Sequence, residues 1–414
     1  MSNTSLVAKN TFWQALGRLV MLICSLLAAS FLTRFLGVES WGNYIFITNI
    51  ILITFNLADF GTGTITIKKL AEPEIDLKKK RFILNQALTL KIFFSIVSLT
   101  VLTGLVLTLN QFQNIEILTL FASLAIIFLT LRTLAEAFFM ANLNFVAKAV
   151  FETSASIISI TGIVLLVQVF GQINLSQALT VWIFSAATST LAALAFLYKQ
   201  TSFSFAPTKK GLKRFLEQSA PLGTRQLVFA LYDAGIDNFF LKTFIGSGAV
   251  GLYGLSYKIY TNLILGAAFF MNSLFPIILK KHPKQLSSIL KRGALSLLLG
   301  GLLISLLTAI FAPIVIGLIG GEAFIPSIRV LRILALALVF GYLNHLTGYT
   351  MIVLGAQKQL LLFSLLALTI NLAGNLVFIP KFGINGAAWV TVATEGSILI
   401  TTGIFLIKKL KSSS

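Results

Sequence analysis

Charge is scarce in this sequence. Only 11% of its 414 residues are charged and 57% are hydrophobic, whereas a soluble domain carries about 25% charge. So little polar surface cannot cover a water-soluble globule, which makes lipid the expected solvent. Cysteine occurs once, at Cys24, so an internal disulfide and a multi-cysteine metal site are both excluded. Cys24 lies in an apolar run and reads as a small buried hydrophobe. Histidine occurs twice, in no metal-ligand spacing, and neither a Gly-x-Ser-x-Gly elbow nor a phosphate loop followed by Lys-Ser/Thr is present. Neither a cofactor, a metal nor a catalytic constellation is expected. Acid is scarcer than base, with 13 Asp+Glu against 32 Lys+Arg and a net charge of +19. In a soluble chain that excess would suggest nucleic acid; here the placement of the charges explains it.

What is abundant is long apolar runs. A lipid-spanning helix needs about 20 mostly apolar residues, because backbone polar groups cannot be left unsatisfied in hydrocarbon. Twelve segments qualify: 11–33, 43–67, 83–109, 116–141, 152–170, 177–198, 219–241, 250–279, 293–319, 333–354, 359–379 and 384–407. The first is too long, and too weakly basic in front, for a cleaved signal segment. Between the spans, the odd-to-even connections hold five basic residues, Arg34, Lys242, Arg329, Arg332 and Lys381; the termini and even-to-odd connections hold 22. That bias predicts both termini in the cytoplasm. It assigns the clusters at Lys68–Arg81, Lys199–Arg214 and Lys280–Arg292 to topology and to anionic membrane lipid, not to nucleic acid. The outward connections are too short to house a catalytic domain, so an enzyme is not expected.

An internal repeat follows. Residues 31–44, FLTRFLGVESWGNY, match 240–253, FLKTFIGSGAVGLY, at six of fourteen positions with an offset of 209, where chance gives about one. Gly37 pairs with Gly246 and Tyr44 with Tyr253. The predicted organisation is a six-span bundle over 1–198, a cytoplasmic linker over 199–218 and a second six-span bundle over 219–414. An even number of spans returns the chain to its starting side, so the two bundles have the same orientation.

Ionisable residues at membrane depth are the candidate functional groups, because charge there is costly and normally faces a bundle interior or a wet cavity. Arg18 and Arg225, on the first helices of the two halves, and Lys258 have no acid within a turn on their own helix. They are the candidates for binding an anion, although Lys258 could instead pair with Asp233 or Asp237. Asp233 and Asp237 lie one turn apart and could share a proton. Asp59 precedes Phe60-Gly61 and could brace a helix end or act in coupling. Lys91 is near enough to a connection to snorkel. His345 is a candidate cavity residue, and Glu395 lies in the last span. Arg132 and Glu136, at i and i+4, read as a structural pair.

Asn10 with Trp13, Arg34-Phe35-Leu36-Gly37, Gly42-x-Tyr44 and Asp59-Phe60-Gly61 resemble the amino-terminal part of bacterial polysaccharide-biosynthesis membrane proteins. These are the Wzx-type flippases of the multidrug/oligosaccharidyl-lipid/polysaccharide (MOP) exporter superfamily. Val250-Gly251-x-Tyr253, Tyr257-Lys258 and Pro380-x-x-Gly383-Ile384-x-Gly386-Ala387-Ala388 extend the resemblance through the second half. It implies an all-α, MATE-like fold of about 12 helices in two bundles forming a V around a central cavity, working by alternating access. It further implies an undecaprenyl-pyrophosphate-linked oligosaccharide as substrate and H+ or Na+ as a coupling ion. The rival readings are an ion-coupled drug exporter of the same fold and a membrane-embedded glycosyltransferase or polymerase.

Overall fold

A computed structural model describes residues 3–73, 75–206, 208–234, 236–279 and 283–411; the side chains of 3–11, 210, 229, 232–234, 276, 277, 279, 283–287 and 411 lie outside that description. The described chain is helical, with no strand. In order, the helices are α1 Asn3–Asp59, α2 Thr62–Leu70, α3 Leu77–Thr108, α4 Glu116–Ala122, α5 Ala125–Ala141, α6 Phe145–Phe170, α7 Leu175–Thr201, α8 Lys209–Ala234, α9 Ile236–Phe244, α10 Ser247–Leu279, α11 Pro283–Gly320, α12 Ser327–Val353 and α13 Gln357–Lys411.

Eight helical stretches among the described residues are long and apolar enough to cross a membrane. Two of them, of 48 and 54 residues, exceed twice the length one crossing needs. Each is broken once, at Gly37 (φ 73°) in α1 and at Gly383 (φ 59°) in α13. Each is therefore a pair of spans meeting at a one-residue turn, and the connections expected at 34–42 and 380–383 are helical on both sides of a glycine. Near hydrocarbon a helix satisfies its own backbone, which a longer loop would not. No neighbouring atom lies within 4 Å of where a Cβ on Gly37 would sit, so this glycine supplies a left-handed φ rather than space. Its repeat partner Gly246 also has positive φ, at 120°. With α8–α9 and α10, these helices account for the twelve expected spans.

Two expected spans are interrupted. The segment predicted at 43–67 breaks at Phe60 (φ 38°) and Gly61 (φ 72°), and that predicted at 116–141 breaks between Ala122 and Ala125. The apolar pattern runs through both breaks, so hydropathy alone does not register them.

The chain divides into two compact units, residues 1–230 and 231–414. The first packs around Leu84, Leu134, Phe139, Leu197 and Phe215. The second packs around Ala267, Met271, Leu297, Tyr342 and Leu346. The connection predicted at 199–218 is helical except between Thr201 and Lys209, and it is tied to the first unit. Arg81 Nε donates to the Thr201 carbonyl. Asn85 Oδ1 accepts from the Ser204 amide at 2.7 Å, and Gln86 both donates to the Ala206 carbonyl and accepts from the Thr208 amide, each at 3.2 Å. Arg225 belongs to this unit by contact.

Candidate functional site

In the first unit, three acids inside the helices, Asp59, Glu136 and Glu152, each have a basic partner. Asp59 ends α1 where Phe60-Gly61 breaks the helix, and its carboxylate accepts from the Gly63 amide across the break. Lys91 does not snorkel outward: it is fully buried, and its ammonium lies 2.6 Å from Asp59 Oδ1 and 2.5 Å from Thr133 Oγ1. Thr133 in turn donates to Asp59 Oδ1 at 2.9 Å. A carboxylate brought this deep attracts the long lysine inward, because an unpaired buried charge costs several kcal/mol. Arg132 pairs with Glu136 at 2.9 Å, and Lys148 pairs with Glu152 at 2.5 Å, both at i,i+4. Glu136 also lies within electrostatic reach of Lys91, Lys148 and Glu152, so the three pairs form one charge-balanced network. The Lys148–Glu152 spacing was readable from the sequence; the Asp59–Lys91 pairing, 32 residues apart, was not.

The break at Phe60-Gly61 is also a packing point. A Cβ on Gly61 would stand 2.8 Å from both the Gly223 amide nitrogen and the Ser219 carbonyl, and a Cβ on Gly223 would stand 2.7 Å from the Phe60 carbonyl. Here α8 meets the end of α1 backbone to backbone. Gly61→Ala is therefore expected to destabilise the protein by about 1–3 kcal/mol through overpacking, with further cost from its positive φ. Gly104→Ala, in a helix with open space around it, is the matched control and should be neutral or stabilising. Thermal unfolding of the two purified variants checks this, and equal midpoints would refute it.

The second unit differs. Asp237, in the first turn of α9, is surrounded by neutral donors. Its Oδ2 accepts from Tyr253 at 2.5 Å and Thr391 at 3.2 Å; its Oδ1 accepts from Asn375 at 2.6 Å and Asn371 at 3.2 Å. No basic residue pairs with it among the described residues. Asn375 is fully buried, and its own Oδ1 has no hydrogen-bond partner among the described residues. Three helices, α10 and both halves of α13, thus aim hydroxyls and amides at one carboxylate carried by α9. At the repeat offset of 209, Asp237 corresponds to Ala28, so the acid has no counterpart in the first half. Asn371, Asn375 and Thr391 escaped the sequence reading because they are uncharged, although Asn371 and Asn375 form an i,i+4 pair in an otherwise apolar segment. No group of three or more His, Cys, Asp or Glu side chains that could hold a metal occurs among the described residues.

One turn beyond Thr391, Glu395 accepts from Asn344 Nδ2 at 2.7 Å and from the Tyr260 hydroxyl at 3.4 Å. Tyr253, Tyr257 and Tyr260 stack along α10 with ring centroids 5.5 Å apart, linking the surroundings of the two carboxylates. His345 is half-buried beside Asn344, with no polar partner among the described residues. Asp233 and its helical neighbour Tyr232 lie outside the described side chains, so the expected sharing of a proton with Asp237 cannot be placed.

The three candidate anion-binding cations contrast with the paired ones. Arg18 and Arg225 are exposed and Lys258 is half-buried, and none has a polar or acidic partner among the described residues. Lys258 does not pair with Asp237, whose oxygens are taken by Tyr253, Thr391 and the two asparagines.

No curated protein matches the sequence. Among solved structures, the fold is similar to a multidrug resistance MATE family transporter of the MOP superfamily in an inward-facing conformation, with a TM-score of 0.79, 14% identity, and coverage of 96% of this chain and 98% of that one. It is similar to the lipid II flippase MurJ in an inward closed conformation, with a TM-score of 0.77, 15% identity, and coverage of 98% and 90%. It is also similar to a MOP superfamily transporter from Pyrococcus furiosus, with a TM-score of 0.65, 13% identity, and coverage of 99% and 96%. Residues 7–282 match the family model described as polysaccharide biosynthesis protein, which spans more than half of the sequence and agrees with the motifs read above. The chain is a multi-pass membrane protein of the polysaccharide biosynthesis protein family, with the helical fold shared by MATE transporters and MurJ.

Proposed function

We propose that the protein is a flippase, moving a polyprenyl-pyrophosphate-linked oligosaccharide from the inner to the outer leaflet of a bacterial or archaeal plasma membrane by alternating access. In this reading both termini are cytoplasmic, and the moving bodies are the two six-span halves, with α8 as far as Ala230 belonging to the first. One observation carries it: within a family named for polysaccharide biosynthesis, three cations of the helical core are locked to acids while Arg18, Arg225 and Lys258 have no partner among the described residues. Unneutralised cations at membrane depth are costly, and a diphosphate head group is the ligand that compensates them, with the arginine fork suited to its oxygens. The polyprenyl tail stays in lipid while the sugar–pyrophosphate head passes.

Asp237 is proposed as the coupling site. A single carboxylate with amide and hydroxyl oxygens suits a proton or Na+, whereas a divalent cation favours more carboxylates. Arg18→Ala and Arg225→Ala are each expected to lower transport at least tenfold at normal membrane levels, with Lys at either position retaining part of it. Surface polysaccharide in cells carrying each variant measures this. Full activity in both alanine variants would overturn the anion reading in favour of an ion-coupled drug exporter of the same fold.

A further inference from the structure

We propose that Lys68, Lys69 and Arg214, gathered at one end of the first unit, form a binding site for the phosphate of a lipid head group. The three come from two segments far apart in sequence. Lys68 and Lys69 occupy the last turn of α2, and Arg214 lies in the first two turns of α8. The close contact of Gly61 with Gly223 and Ser219 holds these helices together. Phe215, buried in the core of the unit, lies beneath Lys69, whose ammonium sits 5.5 Å from the ring centroid.

The arrangement concentrates positive charge, and among the described residues Glu72 is the acid within reach of Lys69. Lys69 is half-buried, and burial, followed by the nearby Arg214, holds its ammonium below the usual lysine range; Lys68 acts in the same direction, and Glu72 is the acid in reach that opposes them. Like charges drawn together and partly desolvated are a candidate binding site, because an anion placed there offsets both costs. A phosphate placed among them would relieve the repulsion, with point-charge contacts from the lysines and a fork from Arg214. Around this end of the unit, Leu77, Phe82, Phe205 and Leu216 are exposed. Large apolar side chains interleaved with lysines are the signature of the boundary between hydrocarbon and head groups, where a lipid presents its phosphate. The charge bias of the sequence assigns this face to the cytoplasm. Two lipids share the chemistry there: an anionic phospholipid and a polyprenyl pyrophosphate.

The test uses the full-length protein in detergent, titrated separately with phosphatidylglycerol and with undecaprenyl pyrophosphate, against phosphatidylcholine as a neutral reference. Lys69→Gln and Arg214→Gln should each weaken binding of at least one anionic lipid about tenfold, the loss expected for one charge-assisted contact. Lys199→Gln, which removes an exposed lysine outside the cluster, should leave binding unchanged. Loss confined to phosphatidylglycerol identifies a bulk-lipid site; loss for undecaprenyl pyrophosphate identifies a site for the carrier lipid. Because Lys69 and Arg214 flank the buried Phe215, Lys68→Gln, at an exposed position, supplies a variant with little packing change. If all three cluster variants bind both lipids as the Lys199→Gln protein does, the proposal is wrong.

Discussion

Asp237→Asn is expected to abolish cation-driven transport, at least a hundredfold, while leaving the protein as stable as the parent or more so. The two effects have opposite signs for a single reason. Asp237 carries a charge into the core of the second unit, and its partners, Tyr253, Asn371, Asn375 and Thr391, are all neutral. Four hydrogen bonds offset part of the cost of burying a carboxylate but supply no counter-charge. An asparagine of the same shape removes that cost and keeps most of the contacts. It also removes the negative charge that, among the described residues of this cluster, could attract a proton or Na+. Asn375→Ala and Thr391→Ala, which delete neutral groups that donate to Asp237, should weaken cation dependence by about tenfold each. Uptake into proteoliposomes under a proton or sodium gradient, together with thermal unfolding, separates these outcomes. Unchanged transport with unchanged ion dependence in Asp237→Asn would make the cluster purely structural.

Lys91→Met should have the largest effect on folding. It strands Asp59 with no cation, and the loss of one member of a buried pair costs about 3–5 kcal/mol. The double variant Lys91→Met/Asp59→Asn should recover most of that loss, because a buried pair is worth little more than a neutral replacement of similar shape. Thr133→Val, which takes a donor from Asp59 Oδ1 and an acceptor from Lys91, should cost about 1–3 kcal/mol. Midpoints of thermal unfolding in detergent give the comparison. If Lys91→Met alone melted with the parent, the pair would contribute nothing to stability. A double variant that is stable but inactive would instead move Asp59 and Lys91 from scaffold to mechanism.

These two acids mark the difference between the units. In the first, three acids within the helices are paired with bases: Asp59 with Lys91, Glu136 with Arg132 and Glu152 with Lys148. In the second, Asp237 has only neutral partners among the described residues. A repeat that preserves Gly37 as Gly246 and Tyr44 as Tyr253 has Ala28 where the second half has Asp237. The helical framework is duplicated while the charge chemistry is not, which is how one scaffold could carry a coupling site in one half only.

The membrane-spanning fold was legible in the sequence because its causes are local. Twelve apolar runs follow from the need of each span to satisfy its own backbone in hydrocarbon. The glycine turns at Gly37 and Gly246 follow from a φ that other residues rarely adopt, and Arg132–Glu136 follows from the geometry of a single helix. The tertiary structure decided what depends on distant residues meeting. It turned Lys91 inward to Asp59 instead of outward to water. It closed four side chains from three separate stretches of sequence around Asp237, and it brought Arg214 beside Lys69. Hydropathy counts each residue alone, whereas the sign and cost of a buried charge depend on what the rest of the chain places within a few ångströms of it.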